Sequence, residues 1–394
     1  MKILLIHNYY RYRGGEDRYA VTLKETLSKK GHCVTQFSLD SKAIKEFGLL
    51  DKLLIPKRLI HSTPVNRQIK ELLEKDKPDL AIIHNLFPLL PLSILKILKK
   101  HRIPVVKRIE NYRFLCLNGL FLRNGTRICD VCKDGNFIPG IIHRCYQDSL
   151  INSVGMAIPL MITGWRKTLL STVDLFLSPS RFVKNKFVEV GFPEEKIAVL
   201  PNFLDFEPLD TIRGPEPYAI FIGRLSEEKG VHTLLKAFKK FPDLNLKILG
   251  EGPMGKELKS FATSSNMQNI EFTGFIDGEK KLDILSRARF LVFPSECYES
   301  FGYSIIESHA CGVPVIAASI GGAKELIDEG ENGFLFEPGK VDDLEAKIAH
   351  LLTMDKQALM KMKQRSLEGV KALYTKETGY RNLVELFEKI RDRR

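Results

Sequence analysis

Short apolar runs recur along the chain, and most are followed by a segment whose apolar positions fall three or four residues apart. That alternation is the signature of parallel α/β layers. In the first half it predicts strands near 2–7, 32–38, 79–84, 104–109 and 174–178, with helices at 16–30 and 91–100 between them. A second series starts near residue 218 with YAIFIG and continues through LNLKILG, IEFTG, RFLVFP, PVIAA and GFLFEP. Between the two lies PNFLDFEPLDTIRGPEP (201–217), proline-rich and polar, which reads as a linker. The fold class expected is α/β: two doubly wound, Rossmann-like domains facing one another across a cleft. Their spans are 1–203 and 204–375, followed by a helix over 376–394 that crosses back to the first domain. In such sheets ligands bind beyond the carboxyl ends of the strands, so the candidate chemistry is sought there.

Those strand ends carry the informative residues. After the first strand comes RGGED, in which Gly14 and Gly15 let the backbone approach a ligand at a helix entrance. A plain tight turn explains the glycines equally well. YAIFIG runs into GRLSEEKG (223–230), where Arg224 and Lys229 put two cations at one strand end, as a diphosphate requires. Either cation alone is more often a solvated surface charge. LGEGPM brings Gly250, and FTGF brings Gly274 and Phe275, a turn able to frame a planar ring. The stretch PSECYESFGYSIIESHACGVPVIA (294–317) embeds two carboxylates, Glu299 and Glu307, in a segment that otherwise reads as buried. A helix from about Phe301 to Cys311 would put the two acids about 12 Å apart along its axis and ~80° apart around it. One elongated ligand would then reach both. The bland alternatives are a helix-entrance acid for Glu299 and an exposed position for Glu307.

Composition adds two bounds. The chain is 44% hydrophobic and 27% charged, a soluble globular balance. No apolar run reaches the roughly 18 residues of a membrane span, and MKILLIHNYY reads as a first strand rather than a leader. Cytoplasmic residence with reduced cysteines is the expectation. The formal charge of +12 is one-sided: residues 1–200 hold 33 Lys and Arg against 18 Asp and Glu. Such a field draws anionic partners. Nucleic acid is not expected, because no interleaved aromatic and basic stripe accompanies the charge.

Taken in order, GRLSEEKG, LGEGP, FTGF, PSECYESFGYSIIE, ACGVPVIAASIGGAKELI and ENGFLFEPG resemble family 4 of the retaining, GT-B-fold glycosyltransferases. RGGED, SPSRF and LPNFLD extend the resemblance across nearly the whole chain. It implies that Arg224 and Lys229 hold the donor diphosphate and neutralise the leaving nucleotide, with no metal or other cofactor required. No Asp-x-Asp pair stands at a strand end. Glu307 would accept hydrogen bonds from ribose hydroxyls, and Glu299 would lie beside the transferred sugar. The backbone of Phe301, Gly302 and Tyr303 would line sugar and phosphates, with Gly15 approaching from the other domain. Relatives commonly carry a histidine where this chain has Glu110, which makes Glu110 a candidate hydrogen-bond acceptor or general base. His84 and His7 are weaker candidates, and a structural Glu110 is the alternative. The activity implied is hexosyl transfer from a nucleotide-sugar to a lipid-linked or polysaccharide acceptor in bacterial surface glycan synthesis. A nucleotide-sugar 2-epimerase and a catalytically silent nucleotide-sugar-binding protein are the rival readings.

Two features stand outside the resemblance. Within a loop-like insert at 113–147, Cys116, Cys129, Cys132 and Cys145 form C-x12-C-x2-C-x12-C, a spacing that suits a structural zinc but also fits unconnected thiols. The segments FGLLDKLLIPKRLI (47–60) and LINSVGMAIPLMITGWRKTLL (150–170) mix apolar residues with flanking cations. Each suits either an acidic membrane surface, giving a peripheral enzyme on its inner face, or ordinary packing on the sheet.

Overall fold

The computed structural model describes residues 1–392 except Tyr12, Arg13, Thr126, Pro215 and Glu216, and except the side chains of Leu49, Leu53, Arg391 and Asp392. Outside the described residues therefore lie Arg13 of RGGED, Thr126 of the insert, the Pro-Glu step of the linker and the chain end at Arg393 and Arg394. The chain forms two compact units. One comprises Met1–Asn124 and Cys129–Pro201 together with the chain from Gly379, and the other comprises Asn202–Thr378 with Gly125–Ile128.

The first unit is built on a six-stranded parallel sheet of β1 (Lys2–Tyr9), β2 (Cys33–Asp40), β3 (Leu80–Ile83), β4 (Val105–Arg108), β5 (Leu175–Ser178) and β6 (Ile197–Val199), in the order β2-β1-β3-β4-β5-β6. β6 is the one strand of this sheet not anticipated from the sequence. It is only three residues long, at the sheet edge, and carries too few positions to show a period. The second unit contains β7 (Tyr218–Ile222), β8 (Asn245–Leu249), β9 (Ile270–Gly274), β10 (Phe290–Phe293), β11 (Val315–Ala318) and β12 (Gly333–Phe336), in the order β9-β8-β7-β10-β11-β12. All ladders in both sheets are parallel.

In the second unit the strands are apolar on both sides because helices cover both faces. Ala219 and Phe221 of β7 join one core with Leu234 and Phe238, whereas Tyr218 and Ile220 join the other with Ile305 and Ile306. The period of two along β7 thus feeds two separate cores.

Helices relevant to the site, numbered in chain order, are α1 (Gly15–Lys29), α2 (Leu49–Leu53), α3 (Ile55–Ile60), α4 (Ile138–Ile142), α5 (Leu150–Ile162), α6 (Trp165–Thr172), α7 (Val231–Phe238), α8 (Gly278–Arg287), α9 (Tyr303–Ala310) and α10 (Lys376–Asp392). The 150–170 segment is two helices rather than one, broken at Gly164, which adopts φ 53°. From Gly379 on, α10 belongs to the first unit. Leu383 and Phe387 are buried, the Tyr380 hydroxyl lies 2.9 Å from His32 Nε2, and Lys30 sits over the Tyr380 ring.

Helix α9 starts at Tyr303, two residues later than the apolar pattern implies. The reason is local. The Phe301 ring is buried among Ile305 and Leu326, Glu299 N–H donates to the Cys297 carbonyl, and Gly322 N–H donates to the Glu299 carbonyl at 2.6 Å. Residues 299–302 are thereby tied to a neighbouring loop instead of to a first helical turn. The axial geometry that sets Glu299 and Glu307 two turns apart on one helix does not apply.

Candidate functional site

Within the second unit, the site grows from the carboxyl ends of β7 and β10. The chain leaving β7 turns through Glu227–Lys229 and enters α7 at Gly230, whose φ is +65°. A Cβ at Gly230 would stand 1.9 Å from the Pro294 carbonyl oxygen, so only glycine lets this loop lie backbone to backbone on the loop after β10. Gly321, at φ +63°, does the same on the far side, where a Cβ would come within 2.6 Å of the Glu299 backbone nitrogen.

These approaches assemble a compact charge cluster. Lys229 Nζ donates to Glu299 Oε1 at 2.5 Å, and Ser295 Oγ donates to the same oxygen at 2.7 Å. Arg224 Nη2 donates to Glu228 Oε1 at 2.6 Å, which also accepts from Ser226 Oγ at 2.7 Å. Glu296 N–H donates to the Glu228 carbonyl at 2.9 Å and links the two loops. Burial alone lowers the Lys229 pKa. The Glu299 carboxylate, with Cys297 and Glu228 adding to it, outweighs burial and leaves the ammonium raised. Burial raises Glu228, but Arg224, Ser226 and Lys229 bring it below the usual carboxylate range. The cluster therefore holds two cations and two anions, with Arg224 half-exposed. Glu228 and Ser295 escape sequence reasoning. The only available signal was their placement in the two strand-end loops.

Gly250 N–H donates to the Gly274 carbonyl at 2.8 Å, fastening the ends of β8 and β9 together, and the Phe275 ring is 71% exposed just beyond them. The Tyr303 hydroxyl donates to the Phe203 carbonyl at 3.0 Å, so its side chain is engaged by the linker, while its backbone begins α9 behind Gly302.

Glu307 stands elsewhere. It is buried, and Lys281 Nζ of α8 donates to its Oε1 at 2.7 Å, with Asp277 3.2 Å from the same ammonium. Lys281 is the functional partner that sequence reasoning missed. It lies on the apolar face of an amphipathic helix, and that was the available clue. His309, two residues on, is buried and its pKa is lowered to about 4 by desolvation.

The first unit presents a second polar cluster beyond β1, β3 and β4. Asn85 N–H meets His7 Nδ1 at 3.4 Å, so Nε2 carries the proton and donates to Asp17 Oδ1 at 2.8 Å. Asp17 also accepts from the backbone of Tyr10 and Gly14 and fixes the start of α1. Among the described residues a Cβ at Gly14 would meet nothing within 4 Å, so no described neighbour demands glycine there. Glu16 Oε2 accepts from the Tyr10 hydroxyl at 2.8 Å and from Asn111 Nδ2 at 3.0 Å, while its buried Oε1 has no hydrogen-bond partner among the described residues. Burial and then Glu110 raise the Glu16 pKa.

Glu110 is buried. Arg108 Nε donates to its Oε1 at 2.6 Å, and His84 Nδ1 lies 3.6 Å from its Oε2. Burial pushes Glu110 up, but the Arg108 guanidinium, with His84, prevails and holds it well below the carboxylate range. A carboxylate held that acidic is a weak general base but a good hydrogen-bond acceptor. Lys107 donates to the carbonyls of His84 and Arg108, and burial brings its pKa down to about 8. Lys107, Glu110 and Asn111 line a cavity of about 10 Å³ with Asn85, Phe87 and Phe114.

Cys116, Cys129, Cys132 and Cys145 are free thiols lining one cavity of about 20 Å³ beside His143. Among the described residues no three His, Cys, Asp or Glu side chains are arranged to hold a metal ion. The thiols share a cavity without gathering into the tetrahedron that zinc requires. Cys116 Sγ instead donates to Asn118 Oδ1 at 3.0 Å, and Cys132 packs under Gly140.

Two buried histidines make the fold sensitive to mild acid. Desolvation holds His84 near pKa 4 and His309 near pKa 4, both below the ordinary 6.5. Below pH 6.5 the unfolded chain takes up these protons and the folded chain does not, so stability falls between pH 6.5 and 4. The loss is on the order of 3 kcal/mol per histidine at full separation. Calorimetry at pH 7, 6 and 5 should show the drop, and His309→Leu should flatten roughly half of it. An unchanged slope would mean that His309 is not buried neutral.

Residues 208–368 match the family model of glycosyl transferases group 1, a span that holds the Arg224–Glu228 and Lys229–Glu299 pairs and the Lys281–Glu307 pair. An uncharacterized glycosyltransferase of Methanocaldococcus jannaschii is 32% identical over 45% of this chain and 50% of its own. A glycogen synthase of Mycobacterium tuberculosis is 33% identical over 60% of this chain and 66% of its own. The chain thus spans about half of one relative and just under two thirds of the other. Among solved structures, Anabaena HepE in complex with UDP and glucose superposes with a TM-score of 0.67 at 18% identity, covering 98% of this chain and 99% of that one. The two six-stranded parallel units form a GT-B fold.

Proposed function

We propose that this protein, whose residues 208–368 match the model of glycosyl transferases group 1, transfers a hexose from a nucleotide-sugar to a glycan or lipid-linked acceptor. The anomeric configuration is retained and no metal takes part, which is the pattern of family 4. The reading places the enzyme in the cytoplasm, peripheral to the inner membrane face, in bacterial surface glycan synthesis. The observation that carries it is the cluster of Arg224, Lys229, Glu228 and Glu299, built from two strand-end loops that only glycine allows to touch.

The chemistry follows from charge. As the bond from the anomeric carbon to the diphosphate lengthens, negative charge grows on the leaving oxygen, and Arg224 and Lys229 stabilise it. To do so they exchange their carboxylate partners for phosphate oxygens. Glu299, relieved of Lys229, then faces the sugar as it gains oxocarbenium character. The acceptor hydroxyl arrives on the face the diphosphate leaves and gives its proton to the departing phosphate oxygen as the new bond to the anomeric carbon forms. The backbone at Phe301, Gly302 and Tyr303 lines the sugar and phosphates, Gly250 and Gly274 admit the nucleotide closely, and Phe275 offers a stacking platform for its base. Glu307 accepts from the ribose hydroxyls once Lys281 shares it. Within the first unit, open space at Gly14 leaves the start of α1 approachable beside Gly15, and Glu110 is set to accept a hydrogen bond from a hydroxyl rather than to act as a base. UDP and glucose in Anabaena HepE support a uridine donor as the first to try.

The deciding experiment incubates purified protein with UDP-, GDP- and ADP-glucose and follows release of the nucleoside diphosphate, with and without added glycan acceptors. Turnover of one donor with an α-configured product supports the reading, and binding without turnover would replace it with the silent binding protein. Phe275→Ala should weaken binding of the preferred nucleoside diphosphate about tenfold, as loss of one base stack does. Titration calorimetry reads the change, and an unaltered affinity would move the base elsewhere.

A further inference from the structure

Among the described residues, the exposed large apolar side chains are concentrated on one part of the first unit. Helix α5 contains no charged residue, and its outward stripe of Ile151, Ile158, Met161 and Ile162 lies in solvent, Ile151 at 74% exposure. The spacing 151, 158, 162 keeps one helix face. The opposite face, with Met156, Ala157 and Leu160, is buried in the unit. Helices α3 and α4 both pack beside α5, with Pro56 of α3 close enough that a Cβ on Gly155 would meet it at 3.3 Å. Helix α2, which packs on α3, and the residue after it add Leu50 and Leu54, and α4 adds Ile138 and Ile142, all exposed.

Such a concentration of exposed aliphatic side chains is unusual for a free surface and marks a contact site. Its charge says which kind. Segments 47–60 and 138–170 together carry six cations, Lys52, Lys57, Arg58, Arg144, Arg166 and Lys167, against Asp51 and Asp148. Asp51 is already paired with Arg58 at 2.5 Å. Lys52, Lys57, Arg144 and Lys167 are exposed. A second copy of the chain would bring the same positive charge to an isologous contact and be repelled. An anionic lipid surface satisfies both features at once, its acyl boundary taking the isoleucines and its headgroups the cations.

We infer that α2 through α5 form a monotopic docking face on which the first unit rests on an acidic bilayer, with the α5 stripe entering the acyl boundary. Trp165, within the 150–170 segment, has no part in this. It is buried and stacks on Phe114 at 5.3 Å. The inference deepens the proposed function and rests on it for a lipid-linked acceptor, whereas the adhesion itself depends only on this surface.

The test is co-sedimentation of the full chain with vesicles of phosphatidylcholine alone and of phosphatidylcholine with an equal part of phosphatidylglycerol. Wild-type protein should bind only the acidic vesicles and should come off at about 0.5 M salt, where exposed charges are screened. The triple variant Ile151→Glu, Ile158→Glu, Ile162→Glu should lose binding at least tenfold. Lys52→Glu with Lys57→Glu, which leaves α5 intact, should lose it several-fold. Equal binding by wild type and both variants overturns the inference, as does absence of wild-type binding to acidic vesicles. A wild-type dimer that the isoleucine variant dissolves would also overturn it. Nucleoside diphosphate release measured without vesicles separates the two proposals. If wild-type protein binds acidic vesicles but hydrolyses and transfers no donor, the transferase reading fails and this surface stands.

Discussion

Lys229→Ala should lower turnover by about 10²–10³-fold, the usual cost of removing one preorganised charge from a developing anion. The effect should fall mostly on turnover, because charge on the diphosphate is greatest as the bond breaks. Affinity for the nucleoside diphosphate alone should weaken by about tenfold, since Arg224 remains. The substitution does more than remove a cation. Glu299 Oε1 keeps only the Ser295 hydroxyl, and a carboxylate deprived of its ammonium repels the incoming phosphates. Lys229→Ala with Glu299→Gln should therefore bind the diphosphate better than Lys229→Ala alone while remaining slow. Steady-state rates and titration calorimetry on the three proteins give the comparison. Unchanged turnover in the single variant would remove Lys229 from the reaction.

Lys281→Met should unfold the second unit more readily by about 3–5 kcal/mol, because it removes the buried ammonium that donates to the buried Glu307 carboxylate at 2.7 Å. For a unit of this size that is a fall of about 10 °C in Tm. The sign reverses when the charge is removed with its partner: Lys281→Met with Glu307→Leu should recover most of the loss, as paired apolar replacements of buried ion pairs do. Thermal and urea unfolding give both values. The proposed donor-binding role then separates from the structural one, since the double variant should be stable yet bind nucleotide-sugar weakly. A single variant within 1 kcal/mol of wild type would show that Glu307 finds another partner.

The strands of both units were largely legible, because β7 to β12 announce themselves by apolar runs closed with glycine or proline. Arg224, Lys229 and Glu299 were legible too, by position after strands. What the chain did not reveal is how charges pair. Lys229 meets Glu299 seventy residues away, and Lys281 meets Glu307 twenty-six away, and such partners follow from strand order and loop contact rather than from any local pattern. The sequence offers Glu110 as a hydrogen-bond acceptor, a general base or a structural residue, and shows nothing of the Arg108 guanidinium that depresses it. The start of α9 was misjudged because helical periodicity in SFGYSIIES is real, but Phe301 has a better place in the core than in a first turn. The zinc expectation rested on spacing alone, and spacing does not orient thiols.

The close approach of Gly230 to Pro294 has a bearing on biosynthesis. On the proposed function, half of the diphosphate cradle is translated well before the other half, so a chain still on the ribosome carries the Arg224 and Lys229 loop with nothing to rest on. It gains a working grip on an activated sugar only after β10 and the loop behind it have left the exit tunnel and docked. Protection of a stalled nascent chain by UDP should therefore switch on abruptly with length, and a bulkier residue at 230 would delay or abolish that switch.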